Sequence, residues 1–155
     1  MKTVSELKVY LASPWFTKEQ AEREDRIKNK LRELGFNVWS PKENTMLLPD
    51  SNNELREKVF SNNINNIKDC DIIFVITDTK DIGTIWEAGF MCGYNENINN
   101  KKIIAYYCET LGPNGQFNLM LAQSGDYIFT DFSDLDNFPE LLKKGENTSY
   151  AGLIE

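Results

Sequence analysis

The run Asp71-Ile72-Ile73-Phe74-Val75-Ile76-Thr77 constrains the fold more than any other part of the chain. A strand with one wet face alternates apolar and polar residues, and this one does not. Its five consecutive large apolar residues fit a strand covered on both faces, the inner position of a parallel sheet between two helical layers. Shorter runs at Leu7–Ala12, Phe36–Trp39, Lys102–Tyr107 and Tyr127–Thr130 read as four more strands. The stretches between them have helical spacing. Lys18–Leu34 places Ala21, Ile27, Leu31 and Leu34 on one face and ends at Gly35. Glu54–Lys68 turns Leu55, Val59, Ile64 and Ile67 inward. Further helices fall at Trp86–Asn95, Asn118–Gln123 and Phe138–Lys144. Lys42–Asn53, bracketed by Pro41 and Pro49, reads as loop. Strands alternating with helices call for right-handed crossovers. The expectation is a single α/β domain over residues 1–155, with a doubly wound, mostly parallel, five-stranded sheet flanked by helices.

Histidine is absent from all 155 residues. That excludes Ser-His and Cys-His nucleophile pairs and the HExxH zinc site. Any acid–base chemistry falls to carboxylates, tyrosine, lysine or cysteine. Cys70, Cys92 and Cys108 are widely spaced and odd in number, which suits reduced thiols packed as small hydrophobes rather than a disulfide frame. No metal site and no cofactor are expected. With 17 Lys and Arg against 24 Asp and Glu, the net charge is −7. That balance opposes a nucleic-acid grip built on counterion release. No apolar run approaches the roughly 18 residues of a membrane span, and no basic segment leads into an apolar one. The expected location is the cytoplasm.

Ligands of doubly wound sheets sit beyond the carboxyl ends of the strands, where the winding direction reverses. Of the segments there, Asp81-Ile82-Gly83-Thr84-Ile85-Trp86-Glu87-Ala88-Gly89 is the most informative. It puts one acid at the mouth of the sheet and a second acid near the start of a helix, whose N-cap is expected at Thr84. A carboxylate in the first helical turn is held ionised by the amide dipoles and suits a nucleophile. The same acid also suits a helix start with no chemistry. Gly83 lets a ligand approach the backbone, and Gly89 lets the helix pack closely on the sheet. Two carboxylates flanking one carbon are what retaining glycosyl chemistry uses, one to attack and one to manage the leaving group's proton. Trp15 and Phe16 follow the first strand and offer a flat surface for a nucleobase or sugar, or else plug the sheet edge. Tyr10 lies on the strand beside the third and reaches Glu87, or else bonds a backbone carbonyl.

Several blocks together resemble the nucleoside 2-deoxyribosyltransferases. They are Val9-Tyr10-Leu11-Ala12-Ser13-Pro14-Trp15-Phe16-Thr17, Asn62-Asn63-Ile64-Asn65-Asn66-Ile67-Lys68, Asp81 to Phe90, Asn118-Leu119-Met120 and Tyr150 to Glu155. The resemblance implies a flavodoxin-like homo-oligomer, a hexamer of paired subunits or a dimer, that moves 2-deoxyribose between purine and pyrimidine bases. Its partners are small deoxyribonucleosides and free nucleobases. It implies Glu87 as the nucleophile on C1′, forming a covalent deoxyribosyl-enzyme, with Tyr10 holding that carboxylate. Asp81 is implied to bond the base and help protonate the leaving nitrogen. Trp15 and Phe16 are implied to wall the base and Asn63 to contact it. Asn118 is implied to reach the sugar's 5′-hydroxyl from a neighbouring subunit, with Met120 and the terminal carboxylate nearby.

The chain departs from the family at Asn63, where aspartate is common, and at the family's base-contacting glutamine, where the loop Lys42-Glu43-Asn44-Thr45 falls. Two other readings compete. One is a nucleoside 5′-monophosphate N-glycosidase, which needs a phosphate pocket; the first loop, Ser13-Pro14-Trp15-Phe16, has no glycine-rich stretch. The other is a nucleotide-sensing module that does not need Glu87.

Overall fold

The computed structural model describes residues 2–45, 47–112 and 114–155. At its centre is the continuous apolar run, β3 (Ile72–Ile76), every residue of which is buried. To one side lie β1 (Lys8–Ala12) and β2 (Asn37–Trp39), and to the other β4 (Ile103–Tyr107) and β6 (Tyr127–Phe129). The order is β2-β1-β3-β4-β6 and every pairing is parallel. This is the flavodoxin-like order, with its switch point between β1 and β3.

The pleat sorts the sheet's side chains into two layers. Val9, Leu11, Phe74 and Tyr107 pack with Ile27 and Leu31 of α1 (Lys18–Glu33) and with Phe138 of α6 (Phe138–Lys144). Tyr10, Ala12, Ile73 and Val75 face the other way. They meet Ile67 of α3 (Asn53–Asp69), Ala88 and Met91 of α4 (Ile82–Asn95) and Ala122 of α5 (Leu119–Ser124). Tyr10 is therefore on the α4 side of the sheet, which is what positions the site.

Several expectations need correction. Part of the expected loop is a short helix, α2 (Pro41–Asn44), because Pro41 stands at its first turn, where a fixed φ and a missing N–H cost nothing. In α3 only Ile67 is fully buried; Ile64 and Val59 are half-buried and Leu55 is exposed. Only the C-terminal half of that helix meets the sheet. A two-stranded sheet of β5 (Gln116–Phe117) and β7 (Leu153–Ile154) was not legible in the sequence, since two residues per strand carry no periodicity. Gly35 does close α1, in the left-handed conformation (φ 97°) that favours glycine. The three cysteines are free, and Cys70 and Cys108 are buried. Burial pushes the Cys70 thiol up to about 12, so it packs as an unreactive hydrophobe. Among the described residues no helix is long and apolar enough to cross a membrane.

Candidate active site

At the switch point, β1 lies between β2 and β3 with Tyr10 in register with Trp39 on one side and Ile73 on the other. The Tyr10 ring is fully buried and stacks on Trp39, with 5.2 Å between centroids. Across the layer, α4 buries a stripe of Thr84, Ala88, Met91 and Asn95. Glu87, next to Ala88 on that helix, turns toward the same side, and Tyr10 Oη donates to Glu87 Oε1 at 2.6 Å.

Asp81, rather than Thr84, is the N-cap of α4. Its Oδ2 accepts from the Thr84 backbone N–H and from Thr84 Oγ1, both at 2.9 Å. Both residue types cap well, and the carboxylate wins here because it satisfies two donors of one residue. Every hydrogen bond Asp81 makes runs through Oδ2. The helix consequently starts at Ile82, ahead of the expected Trp86, and Glu87 falls in its second turn.

That displacement changes the electrostatics. Glu87 was expected to be held ionised by the helix amides. Instead, burial pushes its carboxyl up to about 7. The Tyr10 hydrogen bond pulls the other way, and the Asp81 carboxylate adds a further push upward. Among the described residues no lysine or arginine pairs with it. A desolvated carboxylate without a counter-cation is a strong nucleophile, and it is stabilised by any positive charge that develops beside it.

Around this pair the other expected residues are placed unevenly. Trp15 and Phe16 stack on one another at 5.5 Å, Trp15 half-buried and Phe16 exposed. Asn63 Oδ1 on α3 is buried without a hydrogen-bond partner, and so is Thr45 Oγ1 at the end of α2. Buried acceptors are nearly always paired in a folded chain, so these orphans mark places where a ligand group is missing. A Cβ added at Gly83 would meet only Asp81 Oδ2, at 3.4 Å, an ordinary contact. Gly89 does not pack on the sheet as expected: it is exposed, and nothing lies within 4 Å of an added Cβ.

Asn118 and Met120 lie elsewhere. They line a cavity of about 590 Å³ with Asp78, Lys80, Ile85 and Phe117, and neither Tyr10 nor Glu87 borders it. Asn118 Oδ1 caps α5 by accepting from the Met120 N–H at 3.0 Å. Glu155, carried there by the β5–β7 pairing, accepts from Lys80 Nζ at 3.2 Å. Lys80 itself is in the left-handed region (φ 50°), one residue before Asp81, a strained conformation of the kind that gathers at functional loops. Sequence reasoning missed Trp39 and Thr45. For Trp39 the signal was an aromatic at the end of the strand beside β1; for Thr45 there was none beyond its place in the loop after β2.

Residues 9–137 match the family model "Nucleoside 2-deoxyribosyltransferase". Among solved structures, the chain is similar to a 2-deoxyribosyltransferase from the psychrotolerant bacterium Bacillus psychrosaccharolyticus. The identity is 31%, with 92% of this chain and 98% of that one covered and a TM-score of 0.77. A conserved protein from Enterococcus faecalis V583 shares the fold at 14% identity, with 90% and 98% covered and a TM-score of 0.65. No curated protein sequence matches.

Proposed function

The chain belongs to the nucleoside 2-deoxyribosyltransferase family, and from that premise we propose that it transfers 2-deoxyribose between nucleobases by double displacement through Glu87. The observation that carries this reading is the buried Tyr10–Glu87 pair at the switch point of the sheet. In the first step a Glu87 carboxylate oxygen attacks C1′ of a deoxyribonucleoside. The C1′–N bond breaks, its electron pair goes to the base nitrogen, and that nitrogen takes up a proton. In the second step a nitrogen of the incoming base attacks C1′, loses its proton, and releases the Glu87 carboxylate. Net configuration at C1′ is retained.

The positive charge that builds on C1′ supplies the counter-charge Glu87 lacks, which is a selective stabilisation of the transition state. Tyr10 holds the reacting oxygen through a single hydrogen bond. Asp81, with one oxygen committed to the helix, offers the other to the base and its leaving proton. Trp15 and Phe16 wall the base, Gly83 leaves room beside it, and Asn63 supplies the unpaired acceptor that reads it. Asn118 and Met120 act in the site of a neighbouring copy, which is consistent with their lining a cavity apart from Tyr10 and Glu87. Closing the site with a second chain excludes water and favours transfer over hydrolysis.

The test is chromatography of purified protein with deoxyinosine or thymidine, with and without adenine. Deoxyadenosine forming only with adenine present supports transfer. Free base accumulating equally without an acceptor replaces it with hydrolysis, and turnover of the 5′-monophosphates alone moves the substrate class.

A further inference from the structure

Helix α4 spans fourteen residues and carries one charged side chain, Glu87, which turns inward to Tyr10. By contrast α1 is charged at most of its positions. The outer side of α4 presents Ile82 (87% exposed) and Trp86 (50% exposed), and it continues onto Phe60 of α3. Phe60, Trp86, Phe90 and Tyr94 form a ladder of rings with centroids 5.9, 5.7 and 6.1 Å apart. Beside them Gly89 and Gly93, one turn apart, have nothing within 4 Å of an added Cβ. A helix that is apolar all round is normally a covered helix, and a continuous exposed ring ladder is the kind of patch that marks an interface.

The chain's charge selects the occupant. At a net charge of −7, two copies repel unless they meet through a surface that carries no acids. A twofold contact sets a patch against itself, so the patch must be self-complementary. An uncharged ladder flanked by a glycine gap satisfies both conditions, because the rings of one copy fill the space above the glycines of the other. A strongly acidic or basic partner finds no charge there to recognise.

We propose that the outer face of α4 is the contact between two copies of this chain, with Gly89 and Gly93 setting the close approach and Trp86 and Phe90 filling it. The assignment rests on the homo-oligomeric reading above and gives it a surface. It also gives α4 two sides with different tasks, Glu87 toward Tyr10 and the ladder toward the partner.

The test is the mass in solution of the full chain, by light scattering after size exclusion over a range of concentrations. Gly89→Leu with Gly93→Leu adds side chains that meet open space within one copy and that favour a helix, so the circular dichroism of the fold is retained. Trp86→Glu, at a half-exposed position, instead sets like charges against one another across the contact. The wild type is expected at twice 17.9 kDa or a multiple of that, and both variants at half the wild-type mass or less. Variants that keep the wild-type mass overturn this surface but leave the oligomeric reading standing. A wild type that is monomeric throughout overturns both, whatever the transfer assay shows.

Discussion

Replacing Glu87 with glutamine is expected to abolish transfer and, above neutral pH, to make the protein more stable. In the fold this carboxyl titrates near 7, against an ordinary value of 4.5, mainly because it is buried. The open chain therefore releases the proton first as pH rises. The contribution of this group to stability is full below about 4.5 and is lost progressively up to about 7, where the fold holds an ionised carboxylate away from water. At about 1.36 kcal/mol per pH unit, the difference corresponds to an upper bound of about 3 kcal/mol. Partial contact with solvent brings the expected effect to about 1–3 kcal/mol. Glutamine occupies the same volume, keeps an acceptor for the Tyr10 hydroxyl and cannot ionise. Urea denaturation of both proteins at pH 4.5 and pH 8.5, at one protein concentration, measures the effect. Near pH 4.5 the two should be close. At pH 8.5 the Glu87→Gln midpoint should lie higher by the amount given, while turnover falls by several orders of magnitude. A variant no more stable than wild type at pH 8.5 would show that the buried charge carries no such cost, and the account of Glu87 as a desolvated nucleophile would fail with it.

Tyr10→Phe removes the one hydrogen bond that favours the ionised Glu87, so the ascending limb of kcat/KM against pH, expected near 7, should move up by roughly one unit; an unmoved limb would separate Tyr10 from that carboxyl. Asp81→Ala loses the cap of α4 and should cost about 1 kcal/mol in thermal or urea melts. Asp81→Asn keeps an acceptor for Thr84 and should melt close to wild type while still losing turnover; equal stability losses in the two variants would count against the cap. Asn63→Ala removes a buried acceptor that nothing in the chain satisfies. Stability should therefore be unchanged or slightly higher, while KM for the donor nucleoside rises; a marked loss of stability would show that the amide serves the fold.

What could be read from the sequence follows from how local each signal is. The inner strands were legible because Ile72–Ile76 is apolar throughout and because Ile27 and Leu31 repeat at helical spacing opposite them. The pairing of Tyr10 with Glu87 was legible too, since a doubly wound sheet places the first and third strands side by side. The cap of α4 was misplaced because Asp81 and Thr84 both cap well, and only the hydrogen bonds between them decide. The elevated carboxyl of Glu87 was hidden because its cause is burial, a property of the whole packing layer rather than of neighbours along the chain. The same holds for Gly89, whose outward direction depends on a helix start set five residues before Trp86's neighbour Glu87 is reached, and for the β5–β7 pairing, which joins two residues near the end of the chain to two others far from them.

The hydrogen bond from Tyr10 to Glu87 spans 77 residues of sequence, and that separation has a meaning in time as well as in space. A ribosome working at about 5–20 residues per second takes roughly 4–15 s to cover it. For most of that interval β1 has only β2 as a neighbour, and the edge that β3 will occupy carries free N–H and C=O groups on an apolar strand. Such an edge pairs readily with another nascent chain. The half of the site on β1 is thus made early and left waiting, so crowded synthesis at high temperature favours strand exchange between chains, whereas slow, cool expression gives the missing strand time to arrive.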